Sequence, residues 1–206
     1  KLLQLLPFQY QGENFSFAVI DAIFNYILPI FFLIIPIMVA SIMAATSFTG
    51  EKEKHTLETL LYCPLSLKEI FRAKVLASFI LSMLVSLISF AIMLIVLETE
   101  MFFIADHLLI PDFNWLIILL LVSPAISMIA ITLIVRVSVK SQSVEDAQQR
   151  AAFLVLPIVL LIVGQLAGVL LIDLWILLIL GCVFAVIALI LLKKAMGKFS
   201  YERFLQ

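Results

Sequence analysis

The run "VLASFILSMLVSLISFAIMLIVL", residues 75–97, contains no Asp, Glu, Lys or Arg. An α-helix rises about 1.5 Å per residue, so about 20 apolar residues cross the hydrocarbon core of a bilayer. A charged side chain at the centre of such a helix costs about 2.5–3.5 kcal/mol. The length and the absence of charge therefore predict that this run is a membrane-spanning helix.

Four more charge-free windows occur along the 206 residues, at 22–50, 113–135, 151–172 and 174–192. The chain is 65% hydrophobic and 13% charged, whereas soluble domains are about half apolar and about a quarter charged. Continuous apolar runs indicate helices, since the strands of membrane barrels alternate. We predict an all-α, polytopic transmembrane helical bundle forming one domain over residues 1–206. Its five predicted spans lie at about 22–49, 75–97, 114–135, 151–172 and 174–192.

The basic residues indicate how the chain is oriented. All but one of the 13 Lys and Arg lie in segments 51–74 and 136–150 and after residue 192. The positive-inside rule makes that side cytoplasmic, which predicts a multi-pass cell-membrane protein with a cytoplasmic C-terminus and external residues 1–21. Because the chain begins without Met or a signal-peptide pattern, we expect it to be N-terminally incomplete, with an earlier span upstream.

Several chemistries lack the residues that they require. The six glycines form no nucleotide-binding loop, and the topology separates the only histidines, His55 and His107. An intramembrane enzyme needs ionisable side chains at one depth within the spans, and the five windows contain none. We therefore predict that the chain is not an enzyme and has no metal site, no bound cofactor and no nucleic-acid partner.

Polar residues within the spans have two interpretations. Ser78, Ser82, Ser86 and Ser89 recur at helical spacing and form one helix face. Such a face either lines a substrate path or packs closely on a neighbouring helix, and packing is the usual role of small residues in membranes. For Gln165, an amide in hydrocarbon, a hydrogen bond to another helix is favoured over a ligand contact.

Other span residues predict local geometry. Gly181, Ala185 and Ala188 form a small face on the last span, suited to close helix packing. Trp115 begins its span, a position typical of the membrane interface. Kinks are expected at the prolines within spans, which remove backbone donors. These are Pro29, Pro36, Pro124 and Pro157.

The polar segment "GEKEKHTLETLLYCPLSLKEIFRAK", residues 50–74, separates the first two spans. We predict that Gly50 ends the first span and that residues 51–62 form a short surface helix, with Glu51 and Glu53 near its start. An apolar stripe at helical spacing marks one face of that helix. The stripe consists of Leu57, Leu60 and Leu61.

Two signals predict where this short helix stops and the next one begins. Pro64 ends the first, because the residue before proline avoids the helical region. Ser66 and Glu69 have the spacing of a capping box, which starts the helix leading into the second span. A plain solvated loop does not need an apolar stripe, so we expect the membrane surface or a partner protein to cover it.

This segment resembles the region between the second and third spans of ABC-2 type transporter permeases. The matching residues are Glu51, Glu53, Thr56, Leu57, Glu58, Leu60, Leu61, Pro64, Leu65, Ser66 and Lys74. The segment before the fourth window, "SVKSQSVEDAQQ", is similar to the sodium-exporter-like (NatB-like) branch of that family. That likeness rests on Ser143, Ala147, Gln148 and Gln149.

The resemblance implies an export permease with six spans and both termini cytoplasmic, of which the first span is missing here. ATP and Mg²⁺ would bind a separate cytoplasmic ATPase subunit, and a second permease copy and membrane lipids would complete the assembly. Residues 50–64 would be the coupling helix that contacts the ATPase. Its contacts would be Gly50, Glu51, Glu53, Thr56, Leu57, Glu58, Leu60, Leu61 and Pro64.

The transported substrate is not indicated by these motifs, and the substrate-binding residues are unknown. An ATP-independent channel or secondary transporter is the alternative function. Such proteins usually place charges within the membrane, whereas here only Asp21 and Asp173 lie near a span end. Co-purification of an ATPase discriminates between the two functions.

Overall fold

The computed structural model describes residues 20–21, 23–54, 66–105, 111–138, 141, 143–153, 155–166 and 174–197. Within these ranges the regular structure is helical and no strand occurs. The prediction of an all-α, polytopic helical bundle is confirmed.

Six helices follow one another along the described chain. We number them α1 (Ile23–Glu53), α2 (Leu67–Ala105), α3 (Phe113–Ser138), α4 (Val144–Ala152), α5 (Leu156–Leu166) and α6 (Leu174–Gly197). Four of them, α1, α2, α3 and α6, are long and apolar enough to cross a membrane. Helix α5 has 11 residues and covers part of the predicted fourth span, whose residues 167–172 lie outside the described ranges.

Prolines interrupt the helical pattern in α1 and α3. A π-helical turn, Ile23–Ile27, precedes Pro29, and another, Ile118–Val122, precedes Pro124. Proline has no N–H, so the carbonyl one turn earlier loses its helical donor and the local pairing changes. All four prolines of the predicted spans lie in the first turn of a regular α-helical stretch, where the N–H needs no helical acceptor, and only Pro29 and Pro124 follow one of these two π-helical turns.

The core lies mainly between α1 and α3. Small side chains on α1, including Ala40, Ala44 and Ala45, are fully buried, as is Ile131 on α3. Small residues let two backbones approach closely, which is how helices gain dispersion energy in a membrane that supplies no hydrophobic driving force between them.

Helix α2 packs against α1 and α3 through its predicted serine face. Ser78, Ser82 and Ser86 are buried, and the Ser82 hydroxyl donates to the Phe79 carbonyl at 2.8 Å. Ser89, the fourth member, is half-buried. The burial of this face agrees with the packing interpretation.

Gly181 brings α6 against the π-helical turn of α3. A Cβ atom at this position would lie 2.7 Å from Leu121 Cδ2 and 3.0 Å from Leu121 Cγ. The shorter distance is less than carbon atoms tolerate, so a larger residue requires the Leu121 side chain to move or the two helices to separate. Ala188, two turns further along, is buried, while Ala185 is half-buried.

We predict that Gly181→Leu lowers the free energy of unfolding by about 1–3 kcal/mol, the usual cost of overpacking a close contact. The measurement is the unfolding midpoint of the purified protein in detergent. Cys182→Leu is the matched control, because the neighbouring side chain is exposed and adds its volume on the outside of the bundle. Equal midpoints for the two variants would contradict the close contact.

Candidate functional site

The end of α1 meets the first turns of α2 and α4 at a group of polar contacts that we call the polar junction. It consists of the side chains of Glu51, Glu53 and Lys74 and the backbone N–H of Val144. Helix α1 does not end at Gly50, as the sequence predicted, but continues to Glu53. Glu51 and Glu53 therefore lie at the C-terminal end of a long helix rather than at the start of a short one. Their placement is explained by the partners that they bind.

Lys74 connects α2 to the last turns of α1. Its ammonium group forms an ion pair with Glu51 and donates a hydrogen bond to the Ser47 carbonyl at 3.1 Å. The same nitrogen lies 5.3 Å from the centre of the Phe48 ring, within the range of a cation–π contact. The side chains of Lys74 and Glu51 are only 15% and 24% exposed, so solvent screens this pair less than an exposed one.

Glu53 connects α1 to α4. Its carboxylate accepts a hydrogen bond from the Val144 backbone N–H at 2.9 Å. That N–H belongs to the first turn of α4, where backbone donors have no helical acceptor, and a carboxylate is favourable there. A Cβ atom at Gly50 would lie 3.5 Å from Val144 Cγ2, an ordinary contact, so α4 packs directly on this turn of α1.

Helix α4 contains the second segment singled out from the sequence. The Ser143 hydroxyl caps the helix by accepting from the Asp146 N–H at 3.2 Å, and Ala147 is fully buried in the core. Gln148 is half-buried and Gln149 is exposed. Two of these four residues thus have structural roles that place α4 against the polar junction.

The predicted capping box at the start of α2 is confirmed. The Glu69 carboxylate accepts from the Ser66 N–H at 2.8 Å and from the Ser66 hydroxyl at 2.7 Å. In return, the Glu69 N–H donates to the Ser66 hydroxyl at 3.4 Å. Helix α2 therefore has a defined beginning immediately after the segment 55–65.

Only part of the predicted coupling site lies within the described residues. Gly50, Glu51 and Glu53 lie at or beside the polar junction. The other predicted contacts lie outside the described residues, in segment 55–65: Thr56, Leu57, Glu58, Leu60, Leu61 and Pro64. The junction also uses Lys74 and Val144, which the sequence-based site did not include. Lys74 directly precedes the charge-free run 75–97, and this position in the sequence could have indicated that it takes part in the junction.

The opposite end of the bundle carries a second polar group, the amide cluster: Asp21, Asn25, Asn114 and Gln165. Asn25 is its centre. Its Nδ2 donates to Asp21 Oδ1 at 3.0 Å, and its Oδ1 accepts from the Asp112 N–H at 3.0 Å. Asn25 thereby connects the residues just before α1 to those just before α3.

Side chains of α3 and α5 donate hydrogen bonds to backbone carbonyl groups of the π-helical turn in α1. Asn114 Nδ2 donates to the Asn25 carbonyl at 3.3 Å, and Trp115 Nε1 donates to the Phe24 carbonyl at 3.2 Å. Gln165 Nε2 donates to the Tyr26 carbonyl at 2.8 Å. The prediction that Gln165 bonds a neighbouring helix is confirmed, and its acceptor is a backbone carbonyl of α1.

Trp115, expected at the membrane interface, is buried inside the bundle, and its depth in a membrane stays a prediction. It is 1% exposed and packs on three phenylalanines, with ring centres 5.0–5.7 Å away. Those residues are Phe24, Phe32 and Phe90. Burial of the ring is possible because its N–H has a carbonyl partner on α1.

Electrostatics distinguish Asp21 within the amide cluster. Burial and the nearby Asp112 carboxylate raise the pKa of Asp21 above its usual 3.8, while the hydrogen bond from Asn25 opposes that shift.

Among the residues that the structure describes, no three His, Cys, Asp or Glu side chains are grouped as metal ligands would be.

The family model described as "ABC-2 family transporter protein" matches residues 3–173, which is more than half of the chain. Neither the curated proteins nor the solved structures include a match. The matched residues include both ends of segment 55–65, the polar junction and the amide cluster.

We predict that Lys74→Met lowers the free energy of unfolding more than Glu51→Gln does. The Lys74 variant loses the ion pair, the bond to Ser47 and the contact with Phe48, whereas Glu51→Gln keeps the size of the side chain and a carbonyl acceptor for the ammonium group. A double-mutant cycle in mixed micelles of SDS and non-ionic detergent should give a coupling energy of about 1–2 kcal/mol, since the pair is partly buried.

The control for this cycle is the ion pair of Asp146 and Arg150 on α4, at 2.9 Å, whose side chains are 35% and 49% exposed. Asp146→Asn with Arg150→Met should give about 0.3–0.5 kcal/mol, the usual coupling of an exposed pair one helical turn apart. A Lys74–Glu51 coupling no larger than this control would contradict the role assigned to the polar junction.

We also predict that the protein becomes less stable as pH rises through the pKa of Asp21. A raised pKa means that the folded state binds the proton more tightly than the unfolded state does. The resulting stabilisation is complete below the usual aspartate pKa and is lost as pH rises through the folded-state value. Asp21→Asn, which keeps an acceptor for Asn25, should remove this part of the pH dependence.

The measurement is the unfolding midpoint of native protein and Asp21→Asn between about pH 4 and about pH 7. Asp112→Asn should reduce the slope only in part, because burial of Asp21 remains. Glu100→Gln, which removes an exposed carboxylate near the end of α2, controls for the loss of one charge. Identical slopes for native protein and Asp21→Asn would refute the prediction.

Proposed function

This chain belongs to the ABC-2 transporter family, and on that premise we propose that it is the membrane permease of an ATP-driven exporter. It forms the substrate path with a second permease copy, surrounded by lipid. A separate cytoplasmic ATPase subunit binds ATP and Mg²⁺. The distribution of Lys and Arg supports placing the polar junction and the C-terminus on the cytoplasmic side.

The observation that carries this proposal is how segment 55–65 is attached. It leaves α1 just after Glu53 and returns at Ser66, one residue before α2 begins. The Lys74–Glu51 ion pair connects these two helices close to the ends of the segment. A force applied to the segment therefore reaches α1 and α2 together rather than bending one of them.

The contact between Glu53 and α4 extends this connection. The Glu53 carboxylate accepts a hydrogen bond from the first turn of α4, and Ala147 of α4 is buried in the core. Helix α5 follows α4 in the chain. Helix α3, which ends shortly before α4, packs on α1 through small buried residues. An ATPase that moves segment 55–65 would thus act on the whole bundle at one end.

The anchors proposed for the ATPase contact are Leu57, Leu60 and Leu61. At helical spacing they share one face, and an apolar helix face seated in a groove is a common mode of partner recognition. Gly50, Glu51, Glu53, Thr56, Glu58 and Pro64 complete the proposed contact. Glu51 and Glu53 would act through the polar junction, which positions the segment.

Within the family, we propose that the chain belongs to the sodium-exporter-like (NatB-like) branch. The support is the segment with Ser143, Ala147, Gln148 and Gln149. Ser143 caps α4 and Ala147 is buried in the core, so this part of the likeness falls on residues that have structural roles in α4.

We predict that a soluble ATPase co-purifies with the native protein from its own membranes in mild detergent. The triple variant Leu57→Asp, Leu60→Asp, Leu61→Asp should lose this partner, because three carboxylates cannot enter an apolar groove without large desolvation costs. The measurement is a pull-down followed by identification of nucleotide-binding subunits and their ATPase activity.

The matched control is His55→Asp, Thr59→Asp, Tyr62→Asp. It introduces three Asp residues into the same segment at positions that helical spacing would place opposite the three leucines. It should retain the partner. An unchanged elution volume in size-exclusion chromatography shows that each variant is folded. If no ATPase accompanies the native protein, the coupling proposal is wrong and the ATP-independent transporter is favoured.

A further inference from the structure

Three exposed basic side chains lie near the C-terminal ends of α3 and α6, and we call them the basic patch. Arg136 belongs to α3, and Lys193 and Lys194 belong to α6. Neither helix contains an Asp or a Glu. Among the described residues, Lys74 and Arg150 form ion pairs with carboxylates, whereas the three side chains of the basic patch do not. Their charge is therefore available to a partner outside this bundle.

The order of contacts shows that α3 and α6 run in the same direction. Leu177 and Ile118 line the same small cavity, and Gly181, one turn after Leu177, lies against Leu121. Counted from that contact, Arg136 is 15 residues further along α3, and the two lysines are 12 and 13 residues further along α6. At about 1.5 Å per residue, the three residues lie within about 5 Å of the same depth. The basic patch is thus a single layer of charge on two neighbouring helices.

This layer lies where the apolar part of both helices ends. The charge-free window 113–135 ends directly before Arg136, and the window 174–192 ends directly before Lys193. Long basic side chains at the end of a membrane-spanning helix extend into the head-group region. The basic patch and the phosphate groups of the lipids therefore occupy the same layer of the membrane.

An exposed apolar face of α6 leads directly to the lysines. Val186 and Ile190 are 56% and 58% exposed, and Lys194 follows Ile190 at the same spacing of four residues. Residues four apart lie on one side of a helix, so this side is apolar along the membrane and basic at its end. Leu189, which is also exposed, and Lys193 repeat the pattern beside it. Such a surface matches a lipid, which has apolar chains and a polar head.

We infer that the basic patch binds the head group of an anionic phospholipid, whose acyl chains lie along the exposed apolar face of α6. A zwitterionic head group carries a cation of its own and gains less from three basic side chains, so the site favours lipids of net negative charge. A soluble phosphate would meet the same cations but would not contact the apolar face. The inference requires only that α3 and α6 cross the membrane, so it can fail or hold independently of the proposed coupling to an ATPase.

The test is native mass spectrometry of the full chain, purified in mild detergent and titrated with dioleoyl phosphatidylglycerol or dioleoyl phosphatidylcholine. The two lipids have the same acyl chains and differ in the net charge of the head group. Native protein should bind phosphatidylglycerol at least about tenfold more tightly, because each basic residue near a membrane surface strengthens the attraction of anionic lipid by about fivefold. Equal affinities for the two lipids would overturn the inference without any use of variants.

The variant that tests the patch is Arg136→Gln, Lys193→Gln, Lys194→Gln, which removes three charges and keeps long polar side chains at exposed positions. Its affinity for phosphatidylglycerol should fall to that for phosphatidylcholine. An unchanged elution volume in size-exclusion chromatography shows that the variant is folded. A folded variant that keeps the preference of native protein would place the lipid elsewhere and would refute the site.

The matched control removes three other exposed cations from α2, α4 and the residue after α1, and it has the same net charge as the first variant. It consists of Lys54→Gln, Arg72→Gln and Arg150→Gln. The control should keep the preference for phosphatidylglycerol within about twofold, a change smaller than the loss of one basic contact would cause. An equal loss of preference in both variants would mean that the overall charge of the protein attracts the lipid, and the site would be wrong.

Soluble glycerol 3-phosphate distinguishes a lipid from a phosphate ion. It carries the same phosphate chemistry as phosphatidylglycerol but has no acyl chains. In large molar excess it should leave the lipid bound to native protein. Displacement of the lipid would show that the basic patch is a site for soluble phosphates, and the inference would be overturned.

Discussion

Helices in hydrocarbon must satisfy every backbone polar group inside the protein, and in this chain Pro29 prevents α1 from doing so alone. Proline offers no N–H to the carbonyls four and five residues before it, Asn25 and Phe24. Asn114 and Trp115 donate to these two carbonyls from α3. A proline in one helix is thus compensated by polar side chains in another, and this exchange fixes how α1 and α3 face each other.

These hydrogen bonds to the α1 carbonyls also account for the aromatic and amide residues around them. The Trp115 indole donates to the Phe24 carbonyl, and its ring packs among phenylalanines, where it contributes about 0.5–1.5 kcal/mol per aromatic pair beyond its buried area. Gln165 brings α5 to the neighbouring carbonyl of Tyr26. Three helices are held together at this end by backbone acceptors that a regular helix would have kept for itself.

The other end of the bundle uses charge instead of amides. Lys74 has one anionic partner, one carbonyl and one aromatic ring, all contributed by the last turns of α1. Glu53 reaches in a different direction, to the first turn of α4. These contacts join α1 to α2 and to α4 beside the segment between α1 and α2. Under the proposed coupling, a partner protein that moves this segment would move the joined helices together.

The sequence by itself determined the helical class, the apolar runs and the capping box at Ser66 and Glu69, because each depends on local composition or spacing. It also indicated that Gln165 needs a partner, since an amide in hydrocarbon cannot remain unpaired. Only the tertiary structure decided which partner it has, that Trp115 is buried, and that α1 continues past Gly50 to Glu53. Glycine is tolerated inside a helix when contacts with neighbouring helices stabilise the residues around it. Here Lys74 on α2 binds Glu51, and the first turn of α4 binds Glu53, so α1 remains helical past Gly50. These outcomes depend on residues far apart in the chain, and spacing along a single sequence carries no information about which of them meet.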